Sequence, residues 1–558
     1  MSELHVRQIR AALEKTFRDL VDLGDVAGRP EPDRESIFLS RSLAAIGLAH
    51  LAGISPEEAA AAVTDGFGDN GLDAIYYHPV EKVLYLVQSK WHADGGGSID
   101  RGEIQKFIKG FKDLVNARWD RFPEKVQKRT NQIEAALNDA STKIVLLVIH
   151  TGQQGLSDDV KSDIKDALDE ANSPTEIVSS QAFRQGDVYS IISQGLGGAP
   201  IDLQVVLYDW GQVREPFQGF YGQVAASDVA QWLAAHQNRL FAPNLRVFLG
   251  VTEVNGGMVE TLTKQPENFW YFNNGITALC RTVQKKPLGG STRETGYFDC
   301  SDLRIVNGAQ TVGAIADASG KDAASVEKAR VGIRLLSMES CPAGFDKLVT
   351  RYNNSQNRID RRDFVALDPQ QERVASELLL EGVTYVYKSG ETLNSQEAGF
   401  DIVEATVARA CYQTDITYVV SAKAEIGRLW SDIDQPPYKI LFNPSVSGPS
   451  IWRLVQIARV VESQLGQIRA NAEGRRRLLA VHGNRFIIHM VIQCLRDDFA
   501  KKVGKLDAAE LAAIQGATRT AFDQVFAIIN NHYPDAYLAN LFKNVEKCTK
   551  VAKEFKCP

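Results

Sequence analysis

Residues 68–91, GDNGLDAIYYHPVEKVLYLVQSKW, carry three side chains of types that work together on phosphate esters: Asp73, Gln88 and Lys90. A carboxylate and an amide oxygen are hard donors that suit Mg²⁺, with Mn²⁺ as a substitute. A lysine can orient or deprotonate an attacking water and offset charge growing on the phosphorus oxygens. The apolar alternation of Leu72 to Tyr77 and of Val83 to Lys90, around a turn at His78 to Lys82, predicts a β-hairpin. Strand alternation then turns Gln88 and Lys90 to one face and Ser89 to the other, and a paired Asp73 can join the first two. An ordinary amphipathic hairpin with solvent-facing Asp, Gln and Lys fits the same letters, so the context has to decide between them.

The elements around the hairpin favour the site. Helices are predicted over 1–27, broken by Arg29-Pro30-Glu31-Pro32-Asp33, and then over a stretch carrying Ile37, Phe38, Leu43, Ile46 and Leu51 that Gly53 stops. Ser55-Pro56-Glu57-Glu58 is a capping box opening a short helix. The glycine-rich Asp65-Gly66-Phe67-Gly68-Asp69-Asn70 leads into the hairpin, and there Asp65 and Asp69 fit an Asp-Gly turn better than accessory ligands. Helices at about 103–117 and 124–139, a buried strand Lys143 to His150, a helix Asp158 to Ala171 and strands at 176–179 and 201–208 complete an α/β pattern. Residues 105–129 are basic, with Lys106, Lys109, Lys112, Arg118, Arg121, Lys125, Lys128 and Arg129 against Asp113, Asp120 and Glu124. Such a helix fits phosphate contacts and a solvated face equally well.

The hairpin resembles the core of PD-(D/E)XK nucleases, in the variant with glutamine in place of the acid of the E-x-K triplet, over residues of roughly 30–180. The resemblance implies that Asp73 and Gln88 ligate the metal, that Lys90 acts on the water, and that an upstream helix adds a glutamate. Glu35 is the best match for that ligand, with Glu57 and Glu58 as rivals.

Residues 240–365 hold three amide-rich signatures: Phe269-Trp270-Tyr271-Phe272-Asn273-Asn274-Gly275-Ile276-Thr277, Ile305-Val306-Asn307-Gly308-Ala309-Gln310-Thr311-Val312, and Arg351-Tyr352-Asn353-Asn354-Ser355-Gln356-Asn357. Asn-Gly pairs tolerate left-handed turns, which alone can explain Asn274-Gly275 and Asn307-Gly308. Three clusters in one domain exceed what turns require. Asn273, Asn274, Asn307, Gln310, Asn354 and Gln356 are therefore expected to line a groove for nucleic acid or a partner, with Arg334, Arg351, Arg358, Arg361 and Arg362 at its rim. With Asn244-Leu245-Arg246 and Tyr385-Val386-Tyr387-Lys388, these motifs are similar to those of the AIPR (abortive infection phage resistance) family over roughly 240–390. The D-x-G-L-D-A-I…Q-S-K hairpin is also typical of that family. The resemblance implies bacterial anti-phage defence, often as a restriction-like nuclease.

Composition bounds the rest. The 558 residues are 44% apolar and 24% charged with net charge −6, which excludes wholesale disorder and nucleic-acid coating by bulk positive charge. The longest strongly apolar run, Ile144 to Ile149, is far short of the ~20 residues that span a bilayer. No cationic leader precedes an apolar block, and the seven cysteines form no CxxC pair. A cytoplasmic, reduced protein without structural zinc is expected. Arg477 and His482 have the R-x4-H spacing of helical ribonucleases, but Leu478 follows the arginine where those sites are polar, so a solvated or phosphate-facing helix is the better reading. There is no phosphate-binding loop for ATP.

The sequence thus reads as an α/β N-terminal restriction-endonuclease-like domain (1–200), an α+β AIPR-like middle domain (201–400) and a mainly α-helical C-terminal domain (401–558). The expected activity is Mg²⁺-dependent endonuclease cleavage of phage nucleic acid, DNA favoured over RNA. No membrane association is expected, and the expected partners are a second copy or other defence subunits. The alternative is a non-cleaving sensor or scaffold whose middle domain binds a phage protein, a nucleotide or a partner subunit.

Overall fold

The computed structural model describes residues 2–79, 81–139, 141–194, 200–236, 240–241, 253–287, 292–342, 344–355, 365–388, 391, 393, 395, 399–495, 502 and 504–557. The chain opens with α1 (Ser2–Phe17), α2 (Glu31–Ala52) and α3 (Pro56–Ala61). The Ser55/Glu58 capping box forms as expected, satisfying two backbone donors that the first turn leaves open. A four-stranded sheet follows in the order β1 (Ala74–His78), β2 (Val83–Lys90), β3 (Lys143–His150), β4 (Val178–Phe183). β1 and β2 are the antiparallel hairpin, while β2/β3 and β3/β4 are parallel.

Because β2 and β3 are covered on both faces, they read as near-continuous apolar runs. Val83, Tyr85, Val87, Val145, Leu147 and Ile149 pack with α1 and α2. Leu84, Leu86, Ile144, Leu146 and Val148 face the other way, toward Ile104, Phe107 and Phe111 of α4 (Arg101–Val115).

A second sheet of seven strands has the order β10-β7-β11-β6-β5-β9-β8, with β5 Leu203–Val213, β6 Gly219–Ala225, β7 Ile276–Cys280, β8 Thr282–Lys285, β9 Thr295–Ser301, β10 Arg304–Asn307 and β11 Arg330–Ser337. It is antiparallel except for the parallel pair β11/β7. One face of it forms a core with helices Ala226–His236, Glu253–Lys264 and Ala309–Lys321.

Beyond residue 401 the chain is largely helical, including Gly448–Asn471, Gly474–His482, Asn484–Cys494 and Ala508–His532. These helices share one apolar cluster with the α4 side of the first sheet. Polar ties cross the same boundary: Arg477 pairs with Glu134 at 2.6 Å, and Asn540 donates to the carbonyl oxygens of Ala171 and Thr175. No helix among the described residues is long and apolar enough to cross a membrane. The expectation of a fully reduced chain meets one exception, since Cys494 and Cys557 are joined in a disulfide across 63 residues. Nothing in their spacing signals the pair.

Candidate functional site

The hairpin register pairs Ala74 with Val87, so Asp73, one step further out, lies opposite Gln88, and its N–H donates to the Val87 carbonyl at 2.8 Å. The Asp73 carboxylate is buried. Its Oδ2 accepts from the Ser89 N–H (2.6 Å), the Ser89 hydroxyl (2.9 Å) and Gln88 Nε2 (3.1 Å). Among the described residues no donor reaches Asp73 Oδ1 or the amide oxygen of the buried Gln88.

Two further carboxylates meet Asp73. One oxygen from each of Asp65, Asp69 and Asp73 lies within 4.8 Å of the others. The loop that brings them there is fixed from three sides. Arg41, buried in α2, donates Nε to Asp65 Oδ2 (2.8 Å) and clamps Asp25 with both terminal nitrogens. Asp69 accepts from the backbone of Gly66 and Gly71 and from Lys106 Nζ at 2.6 Å. Gly71, with φ +79°, passes so close to α4 that a Cβ there would lie 2.7 Å from the backbone nitrogen of Phe107. The turn reading of Asp65 and Asp69 is therefore right about Asp69, whose oxygens close the turn, but both residues also belong to the acid cluster.

Burial, together with the charges of Asp65 and Asp69, holds the Asp73 carboxyl well above the usual range. Burial also raises Asp65, against the pull of Arg41. Arg41 and Lys106 already face two of these acids, and the three carboxylates, as oxygen donors only, could hold a hard cation of the Mg²⁺ or Mn²⁺ kind.

Lys90 extends from the same end of β2 and pairs with Glu103 of α4. In the parallel register its neighbour is His150, which is buried and whose Nδ1 has no hydrogen-bond partner among the described residues. Burial and then His92 push the His150 imidazole down to about 4. Glu103, His150 and Arg41 escaped the sequence reading. Arg41 alone left a trace there, as a charge inside the apolar run of α2.

Glu35 is not part of the acid cluster. Its carboxylate accepts from Arg18 (2.9 Å from both terminal nitrogens) and Arg10 (3.1 Å), and the Arg18 hydrogen bond holds it below its usual value. It lines a cleft of about 500 Å³ with Arg10, Arg18, Leu39 and Trp91. The rivals are no closer to a ligand role, as Glu58 completes the cap of α3 and Glu57 is exposed beside it.

The basic segment is largely neutralised. Lys112 pairs with Glu170, Arg118 and Arg121 with the buried Asp113, Lys125 with Asp25, and Lys128 with Glu124. Lys106 faces the acid cluster, and Lys109, one turn on, is exposed with no ion pair among the described residues.

The amide signatures divide. Asn273 Oδ1 accepts from the Gly275 N–H at 2.8 Å, and its amide exchanges hydrogen bonds with Thr311, so it ties the turn before β7 to the helix beginning at Ala309. Asn307 reaches the Asn353 carbonyl at 3.4 Å, and Arg334 donates to Thr277 and to Asn353 Oδ1. Asn274 and Gln310 are exposed. Asn354 lies in the helix Phe345–Ser355, with its side chain outside the described set. Gln356, Arg358, Arg361 and Arg362, like Asn244 to Arg246, lie outside the described residues.

Arg477 and His482 form no catalytic face. Arg477 is held by Glu134, and His482 is buried with Nε2 donating to the Leu137 carbonyl at 2.7 Å.

Fold and site together define a protein with a mixed α/β N-terminal region, an acid cluster at one end of its first sheet, and a helical C-terminal region docked against that sheet. The AIPR protein family model matches residues 241–538, more than half of the chain, and the chain belongs to the AIPR family. A role in abortive infection, a form of phage defence, comes with that membership. The match runs past the amide signatures and through most of the helical region. No curated protein and no solved structure matches the chain.

Proposed function

We propose that the protein is a metal-dependent endonuclease that hydrolyses phosphodiester bonds of invading phage nucleic acid in the cytoplasm, DNA in preference to RNA. The observation that carries this is the meeting of Asp65, Asp69 and Asp73 beside Gln88 and Lys90 at one sheet end. The order helix, hairpin, basic helix and parallel strand supports a restriction-endonuclease-like reading of the N-terminal region. Asp73 Oδ1, the Gln88 amide oxygen and the Asp65 and Asp69 carboxylates would hold Mg²⁺, or Mn²⁺ in its place. When bound, the ion supplies Lewis acidity toward the phosphate oxygens and the attacking water. Ser89 and Gln88 fix Asp73 by occupying its second oxygen. Lys90, steadied by Glu103, orients the water and places positive charge against the phosphate as negative charge grows there. Lys109, exposed one turn beyond the Asp69-paired Lys106, would meet a flanking phosphate.

The test is cleavage of plasmid, phage DNA, single-stranded DNA and RNA by the full chain with Mg²⁺ or Mn²⁺. Lys90→Ala should abolish any cut seen. Absence of metal-dependent cleavage on every substrate would sink the reading.

A second reading has its own support. Trp270, Tyr271 and Phe272 are 44%, 72% and 68% exposed in consecutive positions, a surface suited to a partner. On that reading the chain is a sensor or scaffold, and partner binding that survives Lys90→Ala without cleavage by the wild type would favour it.

A further inference from the structure

Phe67 is 99% exposed, the most exposed large apolar side chain among the described residues. It stands two residues from both Asp65 and Asp69, at the tip of the loop that supplies two carboxylates of the acid cluster. We infer that Phe67 is a substrate contact: its ring stacks on an unpaired nucleobase next to the phosphate held at Asp65, Asp69 and Asp73. This rests on the nuclease reading above.

The exposure is built in. Arg41 grips Asp65 through both its side chain and its carbonyl, while Asp69 receives Gly66, Gly71 and Lys106. Both ends of the tip Gly66-Phe67-Gly68 are thus pinned, and the ring stands outward from it. The neighbours leave the ring's flanks open. A Cβ at Gly68 would meet nothing within 4 Å, and one at Gly66 would meet only Asp25 Oδ2 at 3.5 Å and a backbone oxygen at 4.0 Å. Leaving a phenylalanine in water forgoes the gain of burying it, so a fully solvated ring on a pinned loop beside a polar site suits a flat apolar ligand.

The charges name that ligand. A cation held by the three acids would attract a phosphate, and Lys109, exposed one turn beyond the Asp69-paired Lys106, adds positive charge along α4. A chain of phosphates passing there carries its bases within reach of a ring two residues away. The Gln88 nitrogen is spent on Asp73 and the Ser89 carbonyl, which leaves its amide oxygen beside the cluster without a donor among the described residues. Every base offers a π-face, so this contact favours unstacked or single-stranded positions without selecting a sequence.

The experiment uses full-length Lys90→Ala, which leaves substrate uncut, with Mg²⁺ and three probes: a single-stranded DNA carrying 2-aminopurine, its RNA counterpart, and an abasic strand of equal length. Adding Phe67→Ala should weaken binding of the base-bearing strand roughly tenfold and reduce 2-aminopurine quenching. Binding of the abasic strand should stay unchanged, and Phe67→Trp should restore both signals. The DNA and RNA arms report which strand the ring prefers. Equal loss on base-bearing and abasic strands, or no loss on either, overturns the inference, and metal-dependent cleavage by the wild type would then leave the nuclease reading standing. No affinity for any strand and no cleavage by the wild type overturns both. Unchanged strand binding with lost self-association in Phe67→Ala would assign the ring to a protein contact and also overturn it.

Discussion

The Ser89 backbone N–H lies 2.6 Å from Asp73 Oδ2, and the Ser89 hydroxyl reaches the same oxygen at 2.9 Å. The middle residue of the Gln88-Ser89-Lys90 triplet therefore aims the acid. With Oδ2 held this way, Oδ1 is left without a donor among the described residues. Ser89 points toward α2, where the Ser40 carbonyl, 3.0 Å from its hydroxyl, shares the single hydroxyl proton with Asp73. Ser89→Ala should keep the fold, with a loss of about 1 kcal/mol. It should weaken Mg²⁺ binding and any cleavage by loosening Asp73. Mg²⁺ titration followed by thermal midpoint checks this, and wild-type affinity in the variant would remove Ser89 from the site.

The acid cluster predicts a pH dependence of defined sign. The Asp73 carboxyl is raised by burial and by its two acidic neighbours. As pH climbs past the ordinary carboxylate range, the unfolded chain gives up this proton before the folded one does, so the metal-free fold loses stability as pH rises. A divalent ion bound to the ionised acids reverses this. Mg²⁺ should raise the midpoint more at neutral than at mildly acid pH, by about 2.7 kcal/mol at a hundredfold excess over Kd. Asp73→Asn should stabilise the metal-free chain and erase the Mg²⁺ gain. A midpoint indifferent to Mg²⁺ and Mn²⁺ at neutral pH would remove the metal from the site.

Lys109 and Lys112 separate phosphate contact from surface pairing. Lys112 is held by Glu170 at 2.7 Å, whereas Lys109 is exposed without an ion pair among the described residues. Lys109→Ala should reduce the salt slope of nucleic-acid binding by about one and weaken all sequences alike. Lys112→Ala should leave the slope unchanged. Equal slopes for wild type and Lys109→Ala would return that helix face to solvent.

Strand Lys143–His150 and the Ser55/Glu58 cap were legible because their causes are local, a continuous apolar run in one case and a four-residue pattern in the other. The hairpin and the opposition of Asp73 and Gln88 follow from strand alternation alone. The acid cluster was not legible. Asp65 reaches it through Arg41, 24 residues upstream, and the loop sits against α4 because Gly71 and Gly110 let two backbones touch. Glu35 shows the reverse failure. A glutamate opening an amphipathic helix looks available, but its charge is taken by Arg10 and Arg18 from α1 and the segment that follows it. The spacing of Arg477 and His482 suggested chemistry or a phosphate-facing helix, and both side chains instead fasten the C-terminal helices to the first α/β region.

His482 makes that fastening sensitive to acid. Its Nε2–H is fixed by the Leu137 carbonyl, and burial, with Lys423 nearby, pushes the imidazole down to about 3. The unfolded histidine takes up a proton near its ordinary value while the folded one does not. Stability is therefore full above the ordinary histidine range and is lost as pH falls toward about 3. The loss approaches about 1.4 kcal/mol for each pH unit in that window. His482→Gln should flatten the acid limb of the midpoint curve, and an unchanged limb would place the acid sensitivity elsewhere.

Asn273 and Gln310 are the pair on which the amide groove turns. Both lie within the residues that match the family, yet their surroundings differ. Asn273 accepts from the Gly275 N–H and exchanges hydrogen bonds with Thr311, so truncation strands partly buried groups. Gln310 is exposed in the first turn of the helix that begins at Ala309. Asn273→Ala should lower stability by about 1–3 kcal/mol, and its total activity should follow the fraction folded. Gln310→Ala should leave the midpoint unchanged, because a solvated amide contributes little to folding. If Gln310 touches nucleic acid or a partner, that variant should still lose binding. Thermal unfolding and binding measured on the same preparations distinguish the two roles. Loss of stability in Gln310→Ala with binding retained per folded molecule would make both amides structural and leave the groove without a contact.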